Sequence, residues 1–172
     1  MSVLHSHEKW LVRKSQDAFT FTENIFAMMI VVLFFAVLYA VNSQSLYILN
    51  SGRGAALSDE CLQDRIEQLR NCTWSQLTDA SYLQSSVLNS STNGAAHLGQ
   101  VTETVTVNAY PFALSPPISV VRSNGSASIA SSNASIANGD LVRVDSSLTW
   151  TVGLGGRAHT QATTALIAKY KP

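Results

Sequence analysis

The chain of 172 residues carries 11 basic and 11 acidic side chains, so its formal net charge is zero. This balance argues against nucleic-acid binding through bulk electrostatics. Charged residues make up only 13% of the chain, about half of their usual share in soluble domains. Serine, threonine and asparagine supply the polarity instead.

A basic flank, residues 1–18, precedes the first apolar segment and contains Lys9, Arg13 and Lys14. The next basic residue after that segment is Arg53, twelve positions past Val41. Cytoplasmic flanks of membrane segments are enriched in lysine and arginine. The sequence therefore predicts a cytoplasmic tail or leader and an inner (cytoplasmic) membrane location. The C-terminal part would then be periplasmic or extracellular.

The apolar segment itself runs from Ile25 to Val41 as IFAMMIVVLFFAVLYAV, without a charge, amide, glycine or proline among its 17 residues. As a helix it would cover roughly 25 Å, the lower end of what crosses a bilayer core. The helix of a soluble core is usually amphipathic, whereas this segment is apolar on every side. We therefore predict a single transmembrane helix with a short extension over residues 19–50.

A break is expected next, at Ser51–Gly54, because glycine weakens helices. The domain after it, residues 51–172, opens with a predicted second helix near residues 58–71. Ser58 is a suitable N-cap for that helix. Leu62, Ile66 and Leu69 are spaced four and three residues apart, which predicts an amphipathic helix with one buried stripe.

Two cysteines, Cys61 and Cys72, lie on the predicted outer side, where an oxidising compartment favours a disulfide. Eleven residues along one straight helix would separate their Cα atoms by about 16 Å. A disulfide requires less than about 7 Å. The bridge is therefore possible only if the helix ends or turns before Cys72, and two unpaired thiols are the alternative.

The second half of the domain alternates apolar and polar residues and is rich in β-branched side chains, which predicts strands. Residues 123–139 are low in complexity and suit a long loop or an edge hairpin. The last segment suits a strand or a helix, with threonine favouring the strand. The predicted fold is α+β, with the two helices followed by three or four mainly antiparallel strands. The segments predicted as strands are Gln100–Phe112, Ile118–Val121, Asp140–Val152 and Ala158–Tyr170.

No pattern in the chain indicates an enzyme, a cofactor or a metal site. The glycines of Gly153–Gly156 lack the Lys-Ser/Thr that follows in a phosphate-binding loop, so a hairpin turn is expected there. His97 and His159 stand apart from any Ser-His-Asp or Cys-His grouping. Four matches to the glycosylation sequon, at Asn71, Asn89, Asn124 and Asn133, leave open a type II surface glycoprotein.

The start of the membrane segment resembles the leader and N-terminus of type IV pilin-like proteins. The matching residues are the basic stretch Arg13–Ala18, the apolar Phe19 and the acid Glu23, followed by the uncharged segment. This resemblance implies cleavage between Ala18 and Phe19. It also implies that Glu23 pairs, inside the membrane, with the new amino terminus of a neighbouring subunit.

Within that superfamily the layout is most similar to TadE-like pseudopilins of the tight-adherence system. These have one N-terminal membrane helix, a small-residue stretch that contains arginine, matched here by Asn50–Ala56, and a terminal domain rich in valine and threonine. The resemblance implies a non-enzymatic subunit of a surface filament or of its assembly machinery. Its partners would be the lipid bilayer and other pilin-like subunits in an oligomer.

A different class of function also fits the anchor. The chain would then be an uncleaved single-pass accessory subunit of a larger membrane complex. In that case Phe26, Phe34, Phe35 and Tyr39 would face the helices of the partner.

Overall fold

The computed structural model describes the backbone of residues 4–152 and 157–170, and the side chains of residues 20–151 and 157–170. The chain divides into two compact units, Met1–Leu49 and Asn50–Pro172. The turn predicted at Gly153–Gly156 lies outside the described residues. We describe the two units separately.

Helix α1 is Leu4–Arg70 and contributes residues to both units. The predicted break at Ser51–Gly54 is therefore wrong, and the predicted second helix is the last part of α1. Each glycine inside a helix costs about 1 kcal/mol relative to alanine, and tertiary packing of the residues that follow outweighs this cost. The predicted stripe is confirmed, since Leu62, Ile66 and Leu69 are all buried.

One antiparallel sheet of five strands forms the second unit, in the order β3-β2-β1-β4-β5. Residues 123–139, predicted as a loop or an edge hairpin, supply an edge strand, Ser126–Ser131, and then a 3₁₀ turn, Ala134–Asn138. Asn124 and Gly125 have positive φ angles of 50° and 82° and form the turn of this hairpin. The last segment is a strand. The strands are β1 Gly99–Ala109, β2 Ile118–Ser123, β3 Ser126–Ser131, β4 Leu141–Val152 and β5 Arg157–Ala168.

The short segments between α1 and β1 complete the cover of the sheet. Helix α2, Trp74–Leu77, begins with a capping box between Thr73 and Gln76. Helix α3, Ala80–Tyr82, leads into a π-helical turn, and a 3₁₀ turn follows before β1. These segments bury Leu77, Leu83 and Leu88 completely.

The core lies between these helices and one face of the sheet. On β1 and β4 the buried side chains alternate with partly exposed ones, as the predicted alternation requires. The opposite face is polar and carries threonine and serine, for example the pair Thr149 and Thr160, whose hydroxyl oxygens are 3.0 Å apart. The sheet residues of the core are Val105, Val107, Ile118, Val120, Val142, Val144, Leu148, Trp150 and Ala165.

Gly94 brings the 3₁₀ turn Gly94–His97 against α1. A Cβ atom at this position would lie 2.8 Å from the Cys61 Sγ atom and 2.9 Å from the Leu57 carbonyl oxygen. Carbon atoms do not approach this closely, so a side chain here would push the turn away from the helix.

Gly94→Ala is expected to lower the free energy of unfolding by about 1–3 kcal/mol, the usual cost of overpacking. Gly52→Ala is the matched control, because nothing lies within 4 Å of a Cβ atom there. That change should stabilise α1 by about 1 kcal/mol, since alanine is the better helix former. Urea unfolding of both full-length variants in detergent measures the difference, and equal effects would contradict the packing described at Gly94.

Candidate functional site

The apolar segment Ile25–Val41 has no cover within the described residues. Its large apolar side chains are 47–78% exposed, although the leucine, isoleucine and valine side chains described in the second unit are mostly buried. By length and composition, the described residues contain one helix able to cross a membrane, near the N-terminus. The chain therefore has a candidate single-pass anchor.

The residues of the predicted cleavage point and acid all lie in α1. Glu23 is exposed and stands two residues before Ile25. Ala18 and Phe19 have helical backbone, and their side chains lie outside the described residues. Cleavage at Ala18 and pairing of Glu23 with a neighbouring subunit stay predictions.

The predicted disulfide does not form, because both Cys61 and Cys72 are free thiols. Helix α1 continues to Arg70, so it neither ends nor turns early enough to bring the two sulfur atoms together. Cys61 is buried beneath Gly94, and burial raises the pKa of its thiol above the usual value. Burial also raises the pKa of Cys72. Both thiols are thereby less reactive than exposed ones, because the thiolate is the nucleophile.

A buried ion pair joins α1 to the sheet. Arg65 and Glu103 have relative exposures of 0% and 1%. The guanidinium donates from Nε to Oε1 at 2.5 Å and from Nη2 to Oε2 at 2.9 Å. This two-point geometry matches the planar guanidinium to the planar carboxylate, the strongest form of such a contact.

The remaining donors of Arg65 hold the chain between α3 and β1. Nη1 donates to the carbonyl oxygen of Val87 and, at 2.7 Å, to the Gln68 side chain. Nη2 also donates to the Ser90 carbonyl oxygen at 3.0 Å. The guanidinium thus satisfies two backbone carbonyls that no regular element would satisfy. Its role is structural.

The sequence contains one signal for this pair. Glu103 lies in phase with Val105 and Val107 on the predicted apolar face of β1. A carboxylate on a buried face requires a cation. Nothing in the spacing of α1, however, distinguishes Arg65 from the other arginines as that cation.

A second set of contacts fixes α1 against β5 and β4. Ser58 donates to the side-chain oxygen of Gln161, whose amide nitrogen donates to Asp59. A Cβ atom on Gly54 would lie 2.9 Å from the Trp150 Nε1 atom, so the indole packs directly on the helix backbone. Trp150 also stacks on His159, with ring centroids 5.6 Å apart.

Beside this indole lies a pocket of about 300 Å³, formed entirely within the second unit. Arg53 and His97 are its two basic side chains, and it contains no acid. The stretch Asn50–Ala56, on which part of the family resemblance depends, supplies one wall. The lining residues are Asn50, Arg53, Gly54, Leu57, His97, Leu98, Gly99, Trp150 and Thr151.

Among the described residues, no three His, Cys, Asp or Glu side chains are grouped closely enough to hold a metal ion. The pocket supplies a guanidinium, an imidazole and an amide as polar side chains. These groups can bind a polar ligand.

No protein-family model, curated protein or solved structure matches this chain.

Arg65→Met should destabilise the second unit by about 3–5 kcal/mol, because it leaves the Glu103 carboxylate buried without a cation. The double variant Arg65→Met/Glu103→Leu should be more stable than the single one, since it removes both charges. It should remain below the parent, because the Val87 and Ser90 carbonyl oxygens still lose their donor. Thermal unfolding in detergent, followed by circular dichroism, gives the order of stabilities.

Arg143→Met provides the control for this series. Arg143 forms an exposed ion pair with Asp145 at 2.9 Å, and such pairs contribute at most about 1 kcal/mol. A loss at Arg143 as large as that at Arg65 would contradict the structural role given to the buried pair.

Proposed function

We propose that this protein is a non-enzymatic, membrane-anchored pilin-like subunit of the TadE-like type, which belongs to a surface filament or to its assembly machinery. The observation that carries the proposal is the exposure of every large apolar side chain from Ile25 to Val41. In this proposal the segment crosses the cytoplasmic membrane, the N-terminus is cytoplasmic, and the α+β unit lies outside.

The anchor also offers a surface for other membrane helices. Phe34 and Phe35 lie edge to face, with ring centroids 6.0 Å apart, and a groove along the helix beside them includes Leu38 and Ser45. Helices in lipid associate through close packing and through polar side chains such as serine. Copies of the same anchor would pack along such grooves in an assembled filament.

Glu23 gives the proposal its specific chemistry. A carboxylate placed at depth in a bilayer costs about 2–3 kcal/mol unless it is paired. Pairing with the amino terminus of a neighbouring subunit would offset that cost. Assembly would then favour the arrangement of subunits in which each Glu23 has this partner. The same acid would have no partner in an isolated subunit that inserts alone.

Glu23→Ala is expected to abolish or strongly reduce assembly while leaving membrane insertion intact, because only the intersubunit pair is lost. The matched control is Glu60→Ala, which removes an exposed acid of the same helix within the second unit. Membrane fractionation measures insertion, and chemical crosslinking in membranes measures assembly. Normal assembly of Glu23→Ala would overturn the role of this acid.

The second candidate is an uncleaved accessory subunit of a larger membrane complex. It is favoured by the exposure of the aromatic side chains on the anchor, among them Phe26 at 61% and Tyr39 at 78%. Such rings can pack on the helices of a larger partner.

Intact mass of the purified protein separates the two candidates. A chain that begins at Phe19 is expected for the pilin-like subunit, because the resemblance implies cleavage after Ala18. A chain that retains Met1 and co-purifies with a larger complex would favour the accessory subunit. A mass increase removed by deglycosylation would indicate the surface glycoprotein instead.

A further inference from the structure

The pocket beside Trp150 has the composition of an anion site. Two of its lining side chains, Arg53 and His97, are bases, and none is an acid. The net charge of the whole chain is zero, so this excess of basic over acidic side chains is local to the pocket. A concave site lined by bases raises the local concentration of anions.

The guanidinium of Arg53 is available for a ligand. Two other arginines of the described residues, Arg65 and Arg143, form ion pairs with carboxylates. Arg53 is exposed at the pocket and has no carboxylate partner within that part of the chain. An arginine fork that is not occupied by a carboxylate can bind two oxygens of a phosphate group.

The pocket also contains a buried donor that lacks an acceptor. Trp150 is 3% exposed, and its Nε1 atom has no hydrogen-bond acceptor among the described residues. An unsatisfied buried N–H group is costly. The backbone of Gly54 packs against this atom, so the indole N–H adds an uncompensated positive partial charge beside the pocket and makes no direct contact with a ligand. Asn50 adds a neutral polar side chain to the same lining.

We propose that this pocket binds a phosphate group, with Arg53 as its principal cation and the side chains of His97 and Asn50 around it. Two sources have this chemistry, the headgroup of an anionic phospholipid and a free phosphate compound. Arg53 is the first basic residue after the uncharged segment. This closeness in sequence to the candidate membrane span makes a lipid headgroup one of the two sources. The inference goes beyond the proposed function and holds equally for a filament subunit and an accessory subunit.

Isothermal titration of the detergent-solubilised full chain tests the proposal with two probes. One probe is a short-chain phosphatidylglycerol below its micelle concentration, with phosphatidylcholine of equal chain length as its neutral counterpart. The other probe is inorganic phosphate. Binding of phosphatidylglycerol with at least tenfold weaker binding of the other two identifies a lipid site, and binding of inorganic phosphate identifies a free-anion site.

Arg53→Gln should weaken binding of the successful probe at least tenfold, because it removes the principal cation. The matched control is Arg143→Gln, which removes an exposed arginine on the opposite, polar face of the sheet, and it should leave binding unchanged. Circular dichroism of both variants establishes that they are folded. Absence of binding for every probe, or equal losses in the two variants, would overturn the proposal.

Discussion

The buried pair of Arg65 and Glu103 is the constraint on which the second unit depends. One guanidinium contacts the sheet at β1, the backbone at Val87 and Ser90, and its own helix at Gln68. Three parts of the chain far apart in sequence therefore meet at one side chain. Removing one partner of a fully buried charge is strongly destabilising. The helix, the connecting segment and the strand must therefore all be in place before Arg65 and Glu103 have their hydrogen-bond partners. This requirement makes the packing of the domain specific.

Close backbone contacts set the distance between α1 and the elements it covers. Gly94 lets a turn rest on the helix, and Gly54 lets the Trp150 indole do the same. Both contacts place polar atoms of one element directly against the other, where a methyl group would not fit. They also explain why α1 continues through its glycines, since the residues around Gly54 are held by packing as well as by helical hydrogen bonds.

The predictions from sequence were right where the spacing of apolar residues or the composition of a segment determines its secondary structure. The stripe at Leu62, Ile66 and Leu69 and the alternation in β1 and β4 each follow from burial on a regular element. The helix over Ile25–Val41 follows from the composition of that segment. The disulfide and the helix break were wrong because both depend on tertiary contacts. A glycine in a sequence shows only that a helix is weakened, and it does not show that a tryptophan packs against it. The pairing of Glu103 with Arg65 and the pocket at Arg53 likewise require the relative placement of α1 and the sheet.

The free energy gained by removing the exposed side chains of Ile25–Val41 from water can be compared with the net stability of a whole domain. Fourteen large apolar side chains between Ile25 and Val41 are about half exposed or more, and full transfer of each from water gains about 1.5–3 kcal/mol. Because on average about 60% of each side chain is exposed, the total is on the order of 13–25 kcal/mol. This gain is at least as large as the roughly 5–15 kcal/mol that holds a typical domain folded. An α-helix satisfies its own backbone hydrogen bonds, so it can enter lipid and gain this transfer free energy without a partner helix. Glu23 lies at the edge of that segment, and a bilayer would solvate its carboxylate poorly. A bilayer would therefore account for the candidate anchor, and in the proposed assembly the specificity for a neighbouring subunit would come from Glu23.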